Sequence, residues 1–244
     1  MVLLGVGILA GIVSTVASLA SIVSYPALLA LGLPPVSANV TNTVALMFTG
    51  LGAAAGSRPE LAGQGRRVLR LGLLTAAGGG VGAALLLLTP SATFEYAAPV
   101  LIAVGSIVIL RPPALAATAA VTGREDGWLP RLAVFAVAVY IGYFGAAGGI
   151  LLLAVLIRML RQSLARTNAV KNVISGLANA VAGIGFAIFG PVRWAAVVPL
   201  AAGFLIGGWA GPWLVRRLPA RGLRAVVGIC GLALAIRLGV SAYG

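Results

Sequence analysis

The chain has 244 residues, of which 61% are apolar and 9% charged, where a soluble domain would carry roughly a quarter charged residues. Its 17 Lys+Arg, 4 Asp+Glu and absent His give a formal net charge of +13. The basic residues lie between long apolar runs, without a basic stripe or interleaved aromatics, so a soluble globular domain and a nucleic-acid partner are excluded. One Cys and no His cannot assemble a disulfide scaffold or the usual soft metal sites, and no cofactor is implied.

A spanning helix needs about 20 apolar residues. In chain order, eight segments reach that scale: 2–31, 37–57, 68–89, 94–110, 129–157, 167–190, 194–215 and 223–241. The expected fold class is therefore an all-α polytopic membrane protein whose partner is the lipid bilayer. Segments 1 and 5 are unusually long and interrupted, by Tyr25-Pro26 in one and by Gly142, Gly145, Gly148 and Gly149 in the other. Proline removes a backbone donor and clustered glycine weakens a helix, so both are expected to be broken or re-entrant. The first 20 residues lack the positive start of a signal peptide, and their pattern recurs later, which assigns them to the mature fold. Glu60, Glu95, Glu125 and Asp126 all fall in or beside expected loops. No carboxylate is thus placed for a buried proton relay, and catalysis is not expected.

Shifted by 129 residues, the chain matches itself: Asn39 on Asn168, Gly78-Gly79 on Gly207-Gly208, Gly82 on Gly211 and Pro90 on Pro219. One residue less places Ser21-Ile22 on Gly149-Ile150. The expected organisation is two related four-segment halves, 1–111 and 128–244, with 112–127 as linker. Duplicated halves are common in secondary transporters, whose sites lie between them.

Charge bears on orientation. Arg58, Glu60, Arg66, Arg67 and Arg70 follow segment 2; Arg158, Arg161, Arg166 and Lys171 follow segment 5; Arg216, Arg217, Arg221 and Arg224 follow segment 7. The other short loops hold only Glu95 or Arg193. The three basic loops share one face only if segments 1 and 5 do not cross, which makes the halves inverted. Eight full crossings is the simpler alternative.

Two constellations are candidates for function. Asn168, Lys171, Asn172, Ser175 and Asn179 occupy one helical face, and a polar stripe on an apolar helix must face the bundle interior or water. Lys171 is the only lysine. Asn39, Asn42 and Thr43 hold the equivalent place in the first half, with Asn42 matching Lys171. Amides, hydroxyls and one ammonium suit an oxyanion. The bland alternatives are a snorkelling lysine and amides as interhelical glue. The second constellation is the pair of breaks. Ser18, Ser21, Ser24 and Tyr25 lie at one, and Tyr140, Tyr143 and Gly145 through Gly149 at the other. An interrupted helix presents free N–H groups and a positive dipole end to an anion; close packing of small residues is the alternative. The expected substrate-binding set is Asn39, Asn42, Thr43, Asn168, Lys171, Asn172, Ser21, Ser24, Tyr25, Gly148 and Gly149. Gly78, Gly82, Gly203, Gly207 and Gly211 read as packing seams, and the four tryptophans as interfacial anchors.

The run Ser24-Tyr25-Pro26-Ala27-Leu28-Leu29-Ala30-Leu31-Gly32-Leu33-Pro34-Pro35, followed by Ala38-Asn39-Val40-Thr41-Asn42-Thr43, resembles the first half-motif of the TauE/SafE sulfite exporter family. Gly142-Tyr143-Phe144-Gly145-Ala146-Ala147-Gly148-Gly149, then Asn168-Ala169-Val170-Lys171, resembles the second. The resemblance covers essentially the whole chain. It departs where Ala17-Ser18-Leu19-Ala20-Ser21 replaces a glycine cluster. It implies a multi-pass permease of the inner or plasma membrane for sulfite or another sulfur-containing anion; alternating access at a site between the halves is the mechanism expected of the duplicated architecture. A passive anion channel and a non-transporting scaffold subunit are the rival readings, and a homodimer stays open.

Overall fold

The computed structural model describes residues 1–17, 19–110, 127–145 and 148–215, together with 232, 236 and 240. Among the described residues the elements are ten helices: α1 Val2–Ala17, α2 Ala20–Ala30, α3 Pro35–Gly56, α4 Arg58–Leu61, α5 Gly65–Leu88, α6 Ser91–Leu110, α7 Trp128–Tyr143, α8 Gly148–Met159, α9 Leu164–Phe189 and α10 Trp194–Val215. Helices α5, α9 and α10 contain stretches long and apolar enough to cross a membrane. Proline opens α3, where its missing N–H costs nothing, and Ser163 caps α9 by accepting from the Arg166 N–H.

Both long first segments are broken, as their sequences suggest. The fifth breaks at its glycines, between Tyr143 and Gly148, with Gly145 at φ +74°. The first does not break at Tyr25-Pro26. It breaks between Ala17 and Ala20, and Pro26 lies inside α2. The physical reason is that a proline deletes only one helix hydrogen bond, which a buried, packed helix tolerates. The earlier break is stabilised from another part of the chain, through Asn168.

Helix directions follow from where glycines meet neighbouring backbone. Gly7 lies against Leu200 and Gly203, and Gly11 against Gly207, so α1 and α10 run parallel. Gly52 lies on Leu205 and Gly208, and Gly56 on Trp209 and Pro212, so α3 runs parallel to α10. In the same way α5 runs parallel to α7, with Gly78 on Ala138 and Gly82 on Gly142, and parallel to α9, with Gly79 on Ala178 and Gly80 on Val181. Helices α3 and α9 are antiparallel: Gly50 touches Gly176, and Gly183 reaches back to Thr43 and Val44. The packing order is α1–α10–α3–α9–α5–α7, three helices running one way and three the other. Exchanging α1 with α7, α3 with α9 and α10 with α5 reproduces the same order reversed.

Helix α2 reverses the direction of α1. A short link joins it to α3, and Ser21 and Ser24 hydrogen-bond Asn42, seven residues into α3. Helix α8 is likewise linked closely to α9 and packs against it. The ends of α3 and α8 and the starts of α5 and α9 therefore gather on one face with their arginines. There Arg67 Nη1 donates to Gln162 Oε1 (3.1 Å) and Arg166 Nη2 to the Ala62 carbonyl (2.8 Å). The parallel course of α3 and α10 delivers Val215 to that face too. The third basic group, from Arg216 to Arg224, lies outside the described residues, as do the linker 112–126 and almost all of segment 8.

In lipid, apolar side chains gain little by moving from hydrocarbon into protein, so association depends on close packing and buried polar bonds. The glycine seams supply the first. One apolar cluster joins Tyr25, Val44, Phe94, Phe144, Phe186 and Phe204; another joins Ile141, Leu152, Leu156, Val170 and Ile174. A small third cluster packs Ile150 of α8 against Val13, Leu19 and Ile22, bringing the two breaks together. The four tryptophans are exposed, from 52% to 75%, as side chains facing lipid or its interface would be.

Candidate anion site

The two breaks face a common cavity. Its volume is about 440 Å³ including the open space at its mouth. Ala20 and Ser21, the first residues of α2, line one side; Phe144, Gly145 and Gly149, at the break before and the start of α8, line another. Ser14, Thr43, Lys171, Ser175 and Asn179 complete the polar wall, with Leu46 and Ile141 as apolar neighbours. Lys171 is only 1% exposed. Two helix N-termini and a lysine thus meet at one cavity. Each N-terminus carries roughly half a positive charge, and all three favour an anion.

Of the residues expected from sequence, Ser21, Thr43, Gly149 and Lys171 line this cavity. Asn42 and Ser24 stand directly behind it. The Ser24 hydroxyl donates to Asn42 Oδ1, and Asn42 Nδ2 donates to Ser21 Oγ at 3.2 Å. The carboxamide is thereby oriented, and Ser21 receives a proton at its oxygen while keeping its own to give to a ligand. In the second half the matching residues are Lys171 and Gly149. An ammonium replaces the amide there, and Gly149 offers no hydroxyl where the first half has that of Ser21. The cavity thus has a charged side, at Lys171, and a neutral side, at Ser21.

Asn39 and Asn168 have a different task. Asn39 Nδ2 donates to the carbonyl of Tyr143, the last residue of α7, at 3.1 Å. Asn168 Nδ2 donates to the carbonyl of Thr15, in the last turn of α1, at 2.9 Å. Each satisfies a carbonyl that a helix end leaves without an internal partner, and each does so for the opposite half of the sequence. Replacing either by Ala strands a partly buried carbonyl. We expect a loss of about 1–3 kcal/mol of stability for each, seen as a lower melting temperature in detergent. An unchanged melting temperature in Asn168→Ala would rule out the capping role.

Tyr25 and Gly148 also lie away from the cavity wall. The Tyr25 ring packs edge-on to Phe144, with centroids 5.7 Å apart. A side chain on Gly148 would meet that of Ile141. Asn172 faces a second, smaller cavity. Ser14, Ser175 and Asn179 line the main cavity but were not in the expected binding set. Ser175 and Asn179 were legible as part of the polar face of segment 6, whereas Ser14 has no sequence signal, because a lone serine in an apolar helix is ordinary.

Residues 3–238 match the family model described as Sulfite exporter TauE/SafE. The chain belongs to the TauE/SafE sulfite exporter family. It is thus an integral membrane protein of a transporter family, and membership implies export of sulfite or a related anion. No curated protein and no solved structure matches the chain. Within this TauE/SafE chain, the half-motif residues divide between cavity wall, second layer and helix caps.

Proposed function

We propose that the protein is a plasma-membrane permease that exports a small oxyanion, sulfite or another sulfur-containing anion. The substrate binds in the cavity between the starts of α2 and α8. The observation carrying this reading is the convergence of two helix N-termini and the buried Lys171 on one polar cavity. Lys171 supplies charge, Ser21 supplies a hydroxyl proton, and the first turns of α2 and α8 supply backbone dipoles. The chain divides into two inverted halves, 1–111 and 128–244, joined by a linker at 112–127. The opposed directions of α1 and α7, α3 and α9, and α10 and α5 support that division. Transport proceeds by alternating access, one half rocking against the other around the α3–α9 contact.

The basic face of α3, α5, α8 and α9 is then cytoplasmic, by the positive-inside rule. A ligand that binds the folded state raises its apparent stability by about 2.7 kcal/mol at a hundred times its dissociation constant. Sulfite, thiosulfate and small sulfonates are expected to raise the melting temperature of the detergent-purified protein, while choline and neutral sulfones leave it unmoved. If none of these anions shifts the transition, the proposed site is wrong.

A further inference from the structure

Beside the main cavity lies a smaller one, of about 230 Å³, with which it shares Ser14, Leu46, Ser175 and Asn179. Its remaining polar wall is Thr49 and Asn172, and none of the described residues that line it is charged. Thr49 and Asn172 are 5% and 6% exposed, and among the described residues Thr49 Oγ1 and Asn172 Nδ2 have no hydrogen-bond partner. Buried polar atoms in that state normally have a partner, water or an ion included.

The hydrogen bonds around this cavity spend protons and leave lone pairs. The Ser175 hydroxyl donates to the Asn172 carbonyl at 3.2 Å, and Asn179 Nδ2 donates to the Ser175 carbonyl at 3.0 Å. Ser175 Oγ and Asn179 Oδ1 are then acceptors, as is Thr49 Oγ1. Turning the Asn172 carboxamide, whose oxygen and nitrogen are interchangeable in outline, adds a fourth oxygen, and Ser14 a fifth. Neutral oxygens around a small cavity suit a hard monovalent cation. A divalent ion would call for carboxylates, and the cavity has none.

We propose that this smaller cavity binds a sodium-sized monovalent cation, and that the cation and the transported anion bind cooperatively. Lys171 lines only the main cavity. While that cavity is empty its ammonium opposes a cation next door; a bound anion cancels the opposition. Each ion therefore increases the affinity for the other, by the same factor in both directions. The coupling rests on the anion reading above, whereas the cation site stands on the smaller cavity alone.

The test uses purified wild type and Thr49→Val, with sulfite supplied as its choline salt and cations supplied as gluconates. Sulfite affinity of the wild type is expected to rise about tenfold from choline to sodium, and to rise much less with potassium. Thr49→Val should keep the sulfite affinity measured in choline and lose the sodium effect, and Thr49→Ser should restore it. Sulfite affinity that is equal in sodium, potassium and choline overturns the cooperativity and leaves the anion site standing. If sulfite binds under no condition, the anion reading falls. A sodium-specific melting shift, present in wild type and absent in Thr49→Val, then upholds the cation site, and its absence overturns that too.

Discussion

Lys171→Gln is expected to weaken sulfite binding at least about 30-fold while leaving a folded protein. Removing one member of a buried, hydrogen-bonded charge pair costs about 2–5 kcal/mol, and about 1.4 kcal/mol is a factor of ten. In the free protein Lys171 is 1% exposed at the cavity wall, and glutamine keeps most of its length and packing. The loss should therefore appear in binding and in proteoliposome transport rather than in melting temperature. Asn42→Ala makes a useful companion. It removes the donor that orients Ser21 but no charge, so its effect should be smaller. Wild-type uptake kinetics in Lys171→Gln would remove the lysine from the site and return it to the snorkelling reading. A collapsed melting temperature would make it a structural residue.

The other large effect is expected at the α3–α9 contact. A Cβ on Gly50 would lie 2.7 Å from the Gly176 Cα, closer than real atoms approach. The obstacle is backbone, so no side chain can rotate aside. Gly50→Leu must push the two helices apart, and every bond between them suffers. Overpacking a core costs typically about 1–3 kcal/mol even where side chains can yield, so a larger loss is expected here, with little folded protein recovered. Gly5→Leu is the control, because nothing lies within 4 Å of a Cβ there, and it should behave as wild type. Size-exclusion profiles and melting curves of the two variants check this. A well-folded Gly50→Leu would mean that α3 and α9 do not meet through these glycines.

Much of the site was legible because polar residues are conspicuous in an apolar chain. Lys171, Ser175 and Asn179 recur at helical spacing, and Ser21 and Gly149 match across the repeat. Their gathering around one cavity follows from those patterns once the breaks are recognised. The division of labour was not legible. Asn39 and Asn168 look like ligands, since an amide in an apolar helix carries no mark of where it points. Only the position of the α7 and α1 ends shows that the nitrogens of both amides donate to carbonyls. Asn42 reads as the counterpart of Lys171, yet the hydroxyls of Ser21 and Ser24 engage it. Pro26 was the most visible interruption in segment 1 and proved to be accommodated, whereas the true break has no proline or glycine to announce it.

The sequence by itself determined that this is a membrane protein, because 9% charged residues cannot solvate the surface of a soluble domain. It also determined where the arginines cluster between apolar segments. These are properties of composition and spacing, and no contact between distant residues is needed to state them. Tertiary structure decided where α1 stops, which amides are caps and which serine faces the cavity. Those outcomes depend on which backbone carbonyl lies within about 3 Å of which side chain. Such a distance joins residues more than a hundred positions apart, and neither end carries it alone.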